Sequence, residues 1–117
     1  MGLVHVSMEV SRDNGRKRQV RFLVDSGAVY SVLPQPVWRA LNLKPKRVLE
    51  FTLADGTTIH RSVSDCRFRY QGIDAPSPVV LGEATDAALL GTVTLESLGL
   101  ILNPFDRTLK PMRMLLA

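Results

Sequence analysis

Short stretches in which apolar and polar residues alternate follow one another along the chain, with turn-forming residues between them. The first stretch, residues 3–10, has the two-residue period of a strand with one buried face. It is followed by Asp13-Asn14-Gly15, in which the Asn-Gly pair tolerates the positive φ angles of a tight hairpin turn. The pattern therefore predicts a hairpin whose second strand is 19–24.

The rest of the chain repeats this pattern of short strands and turns. Ala54-Asp55-Gly56 predicts a second hairpin, which projects from the sheet. Two short helices are expected, one at 37–41 after a proline and one at 92–98, which begins at a threonine and stops at Gly99. Further strands are predicted at 29–33, 48–53, 57–63, 67–70, 77–81, 87–91, 100–102 and 108–116. Seven or more short strands with one or two short helices indicate an all-β fold, a small closed β-barrel.

The length of the chain limits how a composite site could be built. With 117 residues, the chain is expected to form a single domain over 1–117, too short for two independent lobes. Any site that needs two similar halves must therefore come from two chains. No stretch approaches the ~18 apolar residues of a membrane helix, and the start has no secretory pattern. We expect a cytoplasmic protein with no membrane partner.

The chain is basic, with a net charge of +4 and a pI of about 9.7. Such a charge can attract nucleic acid or acidic substrates. Much of it lies in Arg16, Lys17 and Arg18 beside the first hairpin turn, where a solvated hairpin tip explains it without a partner. Nucleic-acid-binding barrels present stacking aromatic residues on one face, whereas the aromatic residues here are 6% of the chain and scattered. No nucleic-acid partner is expected.

The cysteine, histidine and serine residues do not form the patterns of a thiol, zinc or serine-hydrolase site. Cys66 is the single cysteine and lies in an ordinary strand pattern, which favours a buried structural thiol over a catalytic one. His5 and His60 have none of the close spacings that zinc sites use, so neither a metal nor a cofactor is expected. A serine hydrolase would need a Gly-x-Ser-x-Gly turn, and the sequence has none.

One carboxylate stands out by its position. Asp25 comes directly after an apolar strand and opens the triplet Asp25-Ser26-Gly27, whose glycine lets the backbone pass close to another group. By itself the triplet is also typical of a surface turn in which the Asp side chain caps its own backbone. Both interpretations are open on the triplet alone.

A second motif decides between them. Later in the chain, Ala88-Leu89-Leu90-Gly91 precedes the second predicted helix. Together the two motifs resemble the retropepsin family of aspartic proteases, in which Asp-(Thr/Ser)-Gly forms the catalytic loop and two hydrophobic residues with Gly pack beside it. The sequence 89–104 also resembles the carboxy-terminal part of cellular and prokaryotic single-domain members.

The resemblance implies an aspartic endopeptidase that acts on peptides or proteins as a homodimer, joined through its active-site loop and terminal strands. The apolar segment 112–116 is the expected terminal contact. Asp25 of each subunit would activate a water, Ser26 would hydrogen-bond across the dimer, and the second hairpin would close as a flap. The expected catalytic residues are Asp25, Ser26 and Gly27, and the expected substrate-binding residues are Ala28, Val29, Ala54, Asp55, Gly56, Leu89, Leu90 and Gly91.

Physical chemistry supports this mechanism. Two carboxylates a few ångströms apart cannot both ionise, so they share one proton and titrate as a pair. Ala28 provides no hydroxyl to favour their charged form, and activity is therefore expected at weakly rather than strongly acid pH.

Two features depart from the retroviral pattern. Val29 and Tyr30 follow Ala28 where retroviral members often have an Asp that holds the substrate backbone, and the flap tip has only Gly56. The contacts that hold the substrate backbone must therefore differ, and the flap is expected to be stiffer or shorter. The alternative is a weakly active or inactive module of the same fold that dimerises or binds peptides.

Overall fold

The computed structural model describes residues 3–13 and 15–113, and this part of the chain contains nine strands and two short helices. The elements are β1 (His5–Ser11), β2 (Lys17–Val24), β3 (Ser31–Leu33), α1 (Gln35–Ala40), β4 (Arg47–Thr52), β5 (Thr58–Tyr70), β6 (Ile73–Leu81), β7 (Leu89–Leu90), α2 (Thr92–Leu98), β8 (Leu100–Asn103) and β9 (Thr108–Pro111). Asn14 of the predicted hairpin turn and residues 114–116 of the predicted last strand lie outside the described residues.

The described strands form a sheet that closes on itself. Seven of them follow the order β1-β2-β7-β3-β6-β5-β4, and β1 also pairs with β5 through the register Val10↔Phe68. β8 and β9 form a separate antiparallel pair. The predicted all-β class with short helices is confirmed. Ring closure leaves few unpaired strand edges, which a small all-β protein must otherwise protect from association.

The core fills the inside of this ring. Phe22 of β2 and Phe68 of β5 are fully buried and pack with ring centroids 5.6 Å apart. Met8 and Val10 lie on β1, which pairs with both β2 and β5, and they are also buried. The alternation in residues 3–10 thus corresponds to one face turned inward, as the period of two requires. Burying such aromatic and aliphatic side chains is the main stabilising contribution in a domain of this size.

The largest difference from the predicted elements is β5. The sequence predicts separate strands at 57–63 and 67–70, with the polar residues Ser64 and Asp65 between them. The structure has one continuous strand, because Ser64 pairs with Val79 and Cys66 with Ser77 of β6. Tertiary pairing outweighs local propensity in such a strand. Its first half pairs with β4 and its second half with β1, so β5 connects the projecting hairpin to the core.

The basic residues beside the first hairpin turn have partners within the chain. The Arg16 guanidinium donates a hydrogen bond to the Ala40 carbonyl, and the Arg12 guanidinium donates to the Asn42 carbonyl, each at 3.3 Å. Both carbonyls lie at the end of α1, where unpaired carbonyl groups attract cations. These contacts account for part of the basic cluster by helix capping.

Cys66 lies in the core and is 4% exposed. Burial, followed by the charge of Asp65, raises the pKa of its thiol to about 12. Because thiolates are the reactive form, the folded protein should react with a thiol reagent at neutral pH at least about 100-fold more slowly than the urea-unfolded chain. The rate of the thiol reaction is measured from the leaving group that the reagent releases. The control is the Ser97→Cys variant, which carries an exposed and reactive thiol. Fast reaction of Cys66 in the folded protein would contradict its burial.

No helix in the part of the chain that the structure describes has the length and apolar character needed to cross a membrane.

Candidate active site

The two sequence motifs lie side by side in the structure. β2 and β7 pair in parallel, with Leu23 opposite Leu89 and Val24 opposite Leu90. The Asp25 amide continues this ladder by donating to the Leu90 carbonyl at 3.0 Å. Asp25 is therefore held at the end of a paired strand rather than on a free loop, which fixes its backbone before any partner binds.

The Asp25 side chain is oriented by its own turn. Its Oδ1 accepts a hydrogen bond from the Gly27 amide at 2.9 Å, and its carbonyl accepts one from Ala28 at 3.1 Å. Asp25 is half-buried, whereas Ser26 and Gly27 are exposed. The carboxylate thus caps its backbone, as the surface-turn interpretation expected, and it also lines a cavity. The backbone cap and the position of the carboxylate at the cavity both follow from the turn at residues 25–28.

The backbone packed against Gly91 explains why the second motif ends in glycine. A Cβ at this position would lie 2.6 Å from the Tyr30 carbonyl carbon and 2.7 Å from the Val29 carbonyl oxygen. The first amides of α2 then bind the same loop, because Thr92 donates to Ala28 and Val93 donates to Val29. The absence of a side chain at Gly91 therefore allows α2 to pack against the candidate catalytic loop.

A buried hydroxyl cluster supports this packing from behind. Thr94 Oγ1 lies 2.5 Å from Ser31 Oγ and 2.8 Å from Ser77 Oγ, and Ser31 Oγ accepts a hydrogen bond from the Gly91 amide. All three hydroxyl side chains are buried. The cluster joins β3, β6 and α2 behind the loop. In the sequence, the signal for this cluster is the presence of hydroxyl residues within apolar strand patterns.

We expect Thr94→Val to lower the free energy of unfolding by about 1–3 kcal/mol, because the substitution keeps the shape but leaves the Ser31 and Ser77 hydroxyls without their shared partner. Thermal or urea unfolding measures the change. The control is Ser97→Ala on the exposed side of the same helix, where a loss below about 1 kcal/mol is expected. Equal stability of the two variants would show that the cluster does not stabilise the loop.

A cavity of about 530 Å³ lies between the Asp25 loop and the projecting hairpin. Six of the expected site residues line it, namely Asp25, Gly27, Ala28, Val29, Ala54 and Leu89. The others lie elsewhere: Asp55 and Gly56 are exposed at the hairpin tip, Leu90 and Gly91 are buried behind the loop, and Ser26 lines a second groove. The structure thus brings both motifs and the hairpin to one cavity.

Other residues of the cavity wall were missed in the sequence. Tyr30 of the loop meets Phe51 of β4 edge to face, with ring centroids 6.2 Å apart. Arg61 of β5 donates to the Glu83 carboxylate at 2.7 Å, which ties the hairpin base to the segment before β7. The remaining wall is mostly apolar and consists of Val32, Thr52, Leu53, Ile59, Val80, Asp86 and Ala87. For Phe51, Ile59 and Arg61, which lie on the hairpin strands, the alternation of those strands was the available signal.

The hairpin tip is held by its own turn. Leu53 donates to the Thr57 carbonyl at 2.7 Å, and the Thr57 amide donates to Asp55 Oδ1 at 2.8 Å. The hydroxyl and amide of Thr57 lower the pKa of Asp55. Gly56 has a φ of 86°, which suits glycine. The predicted hairpin is therefore present, with its tip beside the cavity.

The fold and the family of this chain are those of aspartic proteases. In sequence, residues 12–97 match the family described as "gag-polyprotein putative aspartyl protease", and the chain belongs to that family. The matched segment contains both the Asp25 triplet and Leu89-Leu90-Gly91. No curated protein matches the chain in sequence.

Two solved structures have a similar fold. The solution structure of the simian foamy virus (mac) protease is 18% identical, with a TM-score of 0.55, over 78% of this chain and 92% of that one. The EIAV protease complexed with the inhibitor HBY-793 is 17% identical, with a TM-score of 0.60, over 84% of this chain and 89% of that one. The resemblance to retropepsin-like proteases that the sequence indicated is confirmed.

Proposed function

We propose that the protein is an aspartic endopeptidase that hydrolyses peptide bonds with a water activated by two Asp25 side chains, one from each copy of a homodimer. The observation that carries the proposal is the half-buried Asp25 carboxylate at the wall of a largely apolar cavity beneath a hairpin. Concave, apolar cavities with few polar groups are typical of ligand sites. The family supports peptides or proteins as substrates.

The second carboxylate is proposed to come from another chain. Among the described residues that line the cavity, Asp86 is the acidic residue besides Asp25. Its Oδ2 accepts a hydrogen bond from the Glu83 amide at 2.6 Å. Each chain has one Asp-Ser-Gly triplet, and Ser26 is exposed beside Asp25, where it can hydrogen-bond to a second copy. We take residues 1–117 as one protease domain. The buried thiol of Cys66 suits a reducing compartment such as the cytoplasm.

The dyad would work without a metal or a covalent intermediate. Two carboxylates that share one proton supply a base and an acid at the same time. The ionised oxygen takes a proton from the attacking water while the protonated one donates to the scissile carbonyl oxygen. Proton return to the amide nitrogen then releases the amine and the new carboxylic acid. The Gly27 amide and the β2–β7 pairing would hold this geometry.

The pH profile of kcat/KM should be bell-shaped with a weakly acid optimum, since Ala28 places no hydroxyl in the cavity. We expect Ala28→Ser to move the acid limb by about half to one pH unit towards lower pH, because a hydroxyl that donates to the ionised dyad favours its charged form. Steady-state cleavage across the pH range measures this. An unchanged acid limb in a folded, active variant would show that residue 28 does not set the profile.

Cleavage of a mixed peptide library between about pH 3 and pH 7 tests the function itself. We expect cuts beside apolar side chains that fit the cavity, blocked by a pepstatin-type inhibitor. A wild-type dimer that produces no cuts at any pH would contradict the proposal.

A second candidate is a module of this fold that binds peptides or dimerises without cleaving. It is favoured by the Gly27 hydrogen bond to Asp25, which a purely structural aspartate also makes, and by Val29, 60% exposed, where retroviral members often have an acid. In that case labelled library peptides would bind in the cavity and be recovered intact, and Asp25→Asn would bind them equally well.

A further inference from the structure

A second groove lies on the other side of the Asp25 loop. It has a volume of about 340 Å³ between α2, β8 and the loop. Its wall is mostly apolar, formed by Leu95, Leu100, Ile101, Leu102, Pro104 and Met112. Ser26, the residue after Asp25, lines its edge. This apolar groove touches the candidate catalytic loop and is open among residues 3–13 and 15–113.

The adjoining hairpin between β8 and β9 carries an unburied aromatic residue at its tip. Phe105 is 96% exposed, the highest value among the large hydrophobic side chains that the structure describes as exposed. The turn that presents it is well defined, because Asn103 Oδ1 accepts from the Phe105 amide and Asp106 Oδ1 accepts from the Thr108 amide. A rigidly presented aromatic residue is a typical anchor at protein interfaces.

We propose that Phe105 of a second copy of this chain occupies the groove, and that the two copies exchange these contacts. This inference rests on the dimer of the proposed function. If two Asp25 side chains meet, the two-fold axis passes beside Asp25, and the neighbouring surface that begins at Ser26 must face the other copy. A two-fold interface is self-complementary, so the surface that receives a hairpin tip also presents one.

The charges beside the two features are complementary. Glu96 lines the groove, and no cation lies within 4 Å of its carboxylate among residues 3–13 and 15–113. Arg107 lies two residues after Phe105, and within the same described part of the chain it has no carboxylate partner at that distance. In the proposed dimer the Arg107 of one copy approaches Glu96 of the other. Such pairs guide association and orient the partners.

The interface also explains the exposure of Ile101, which is 52% exposed on β8 at the groove. Covering Phe105 and Ile101 together would remove much of the apolar surface at this end of the fold. A buried aromatic anchor typically accounts for a large share of binding affinity. The interface would hold Ser26 and the Asp25 loop against their copies, because the groove and the loop share that residue.

The first test is the dimer dissociation constant of Phe105→Asp, measured by sedimentation. We expect an increase of at least about 30-fold. At a concentration at which both proteins are monomeric, the melting temperature should be unchanged, since the exposed side chain contributes little to the fold of one chain. The matched control is Val48→Asp, on β4, whose side chain is 62% exposed; it should dimerise like the wild type. A Phe105→Asp variant that dimerises as tightly as Val48→Asp would overturn the inference.

The second test locates the contact. A benzophenone-bearing phenylalanine analogue replaces Phe105, and the labelled chain is mixed with isotope-labelled wild type before irradiation. Crosslinks between unlike chains should map to the groove, that is to Ser26, residues 92–104 or Met112, while crosslinks to any other surface would overturn the inference. If the wild type cleaves peptides as a dimer and these tests fail, only the interface is wrong. A wild type that stays monomeric at high concentration would overturn both proposals.

Discussion

Replacing Asp25 with asparagine is expected to lower kcat/KM by about 10³-fold to 10⁴-fold and to leave the fold and the dimer intact. The loss follows from removing both the base and the acid of the dyad, since an amide does neither task. Retention of the fold follows from the turn, because the asparagine oxygen can still accept the hydrogen bond that Gly27 donates to Asp25 Oδ1. Steady-state cleavage, thermal unfolding and sedimentation of the purified variant measure the three quantities.

The control for charge is Asp74→Asn. Asp74 pairs with Arg67 on the outer surface, at 3.0 Å and away from the cavity, so its loss should change kcat/KM by less than about two-fold. If Asp25→Asn keeps wild-type activity, Asp25 has no part in the chemistry.

Replacing Gly91 with alanine is expected to have the second-largest effect, a loss of about 1–3 kcal/mol in unfolding free energy together with a fall in kcat/KM of up to about 100-fold. Gly91 has φ −94° and ψ 173°, a conformation that alanine adopts freely. The cost therefore comes from contact alone, because the new methyl would meet the backbone of Val29 and Tyr30 at 2.6–2.7 Å. Relief of that contact must move the Asp25 loop or α2.

Gly72→Ala separates this cause from backbone strain. Gly72 has a φ of 82° and open space around it, so alanine there strains the backbone without a clash, and it lies away from the cavity. We expect a loss of about 1 kcal/mol with unchanged kcat/KM. A Gly91→Ala variant that retains full activity would show that the loop position does not depend on this packing.

The sequence predicted the elements whose signals are local. Asp55-Gly56 marked the projecting hairpin, Gly99 marked the end of α2, and the triplet at Asp25 marked the loop. The all-β class and the family are confirmed. The closeness of Asp25 to Leu90, however, came from resemblance to a family, since no local pattern states that β2 and β7 pair in parallel.

The features that the sequence did not reveal depend on pairing between distant segments. Ser64 interrupts an apolar pattern, and only its partner Val79 on β6 makes β5 continuous. The contact of Tyr30 with Phe51 and the Thr94 hydroxyl cluster join residues far apart in the chain. A pattern within one segment can mark one of these residues but cannot indicate which residue it contacts. The roles of the site residues and the dimer remain predictions that the experiments above address.

The most direct test of the central claim is subunit mixing. Wild-type chains are equilibrated with Asp25→Asn chains at a constant total concentration, and cleavage is followed as the wild-type fraction falls. If each active site needs an Asp25 from both copies, activity follows the square of that fraction, and an equal mixture retains about one quarter of the wild-type rate. A linear decline, with about one half retained, would mean that one chain is sufficient and would contradict the shared dyad.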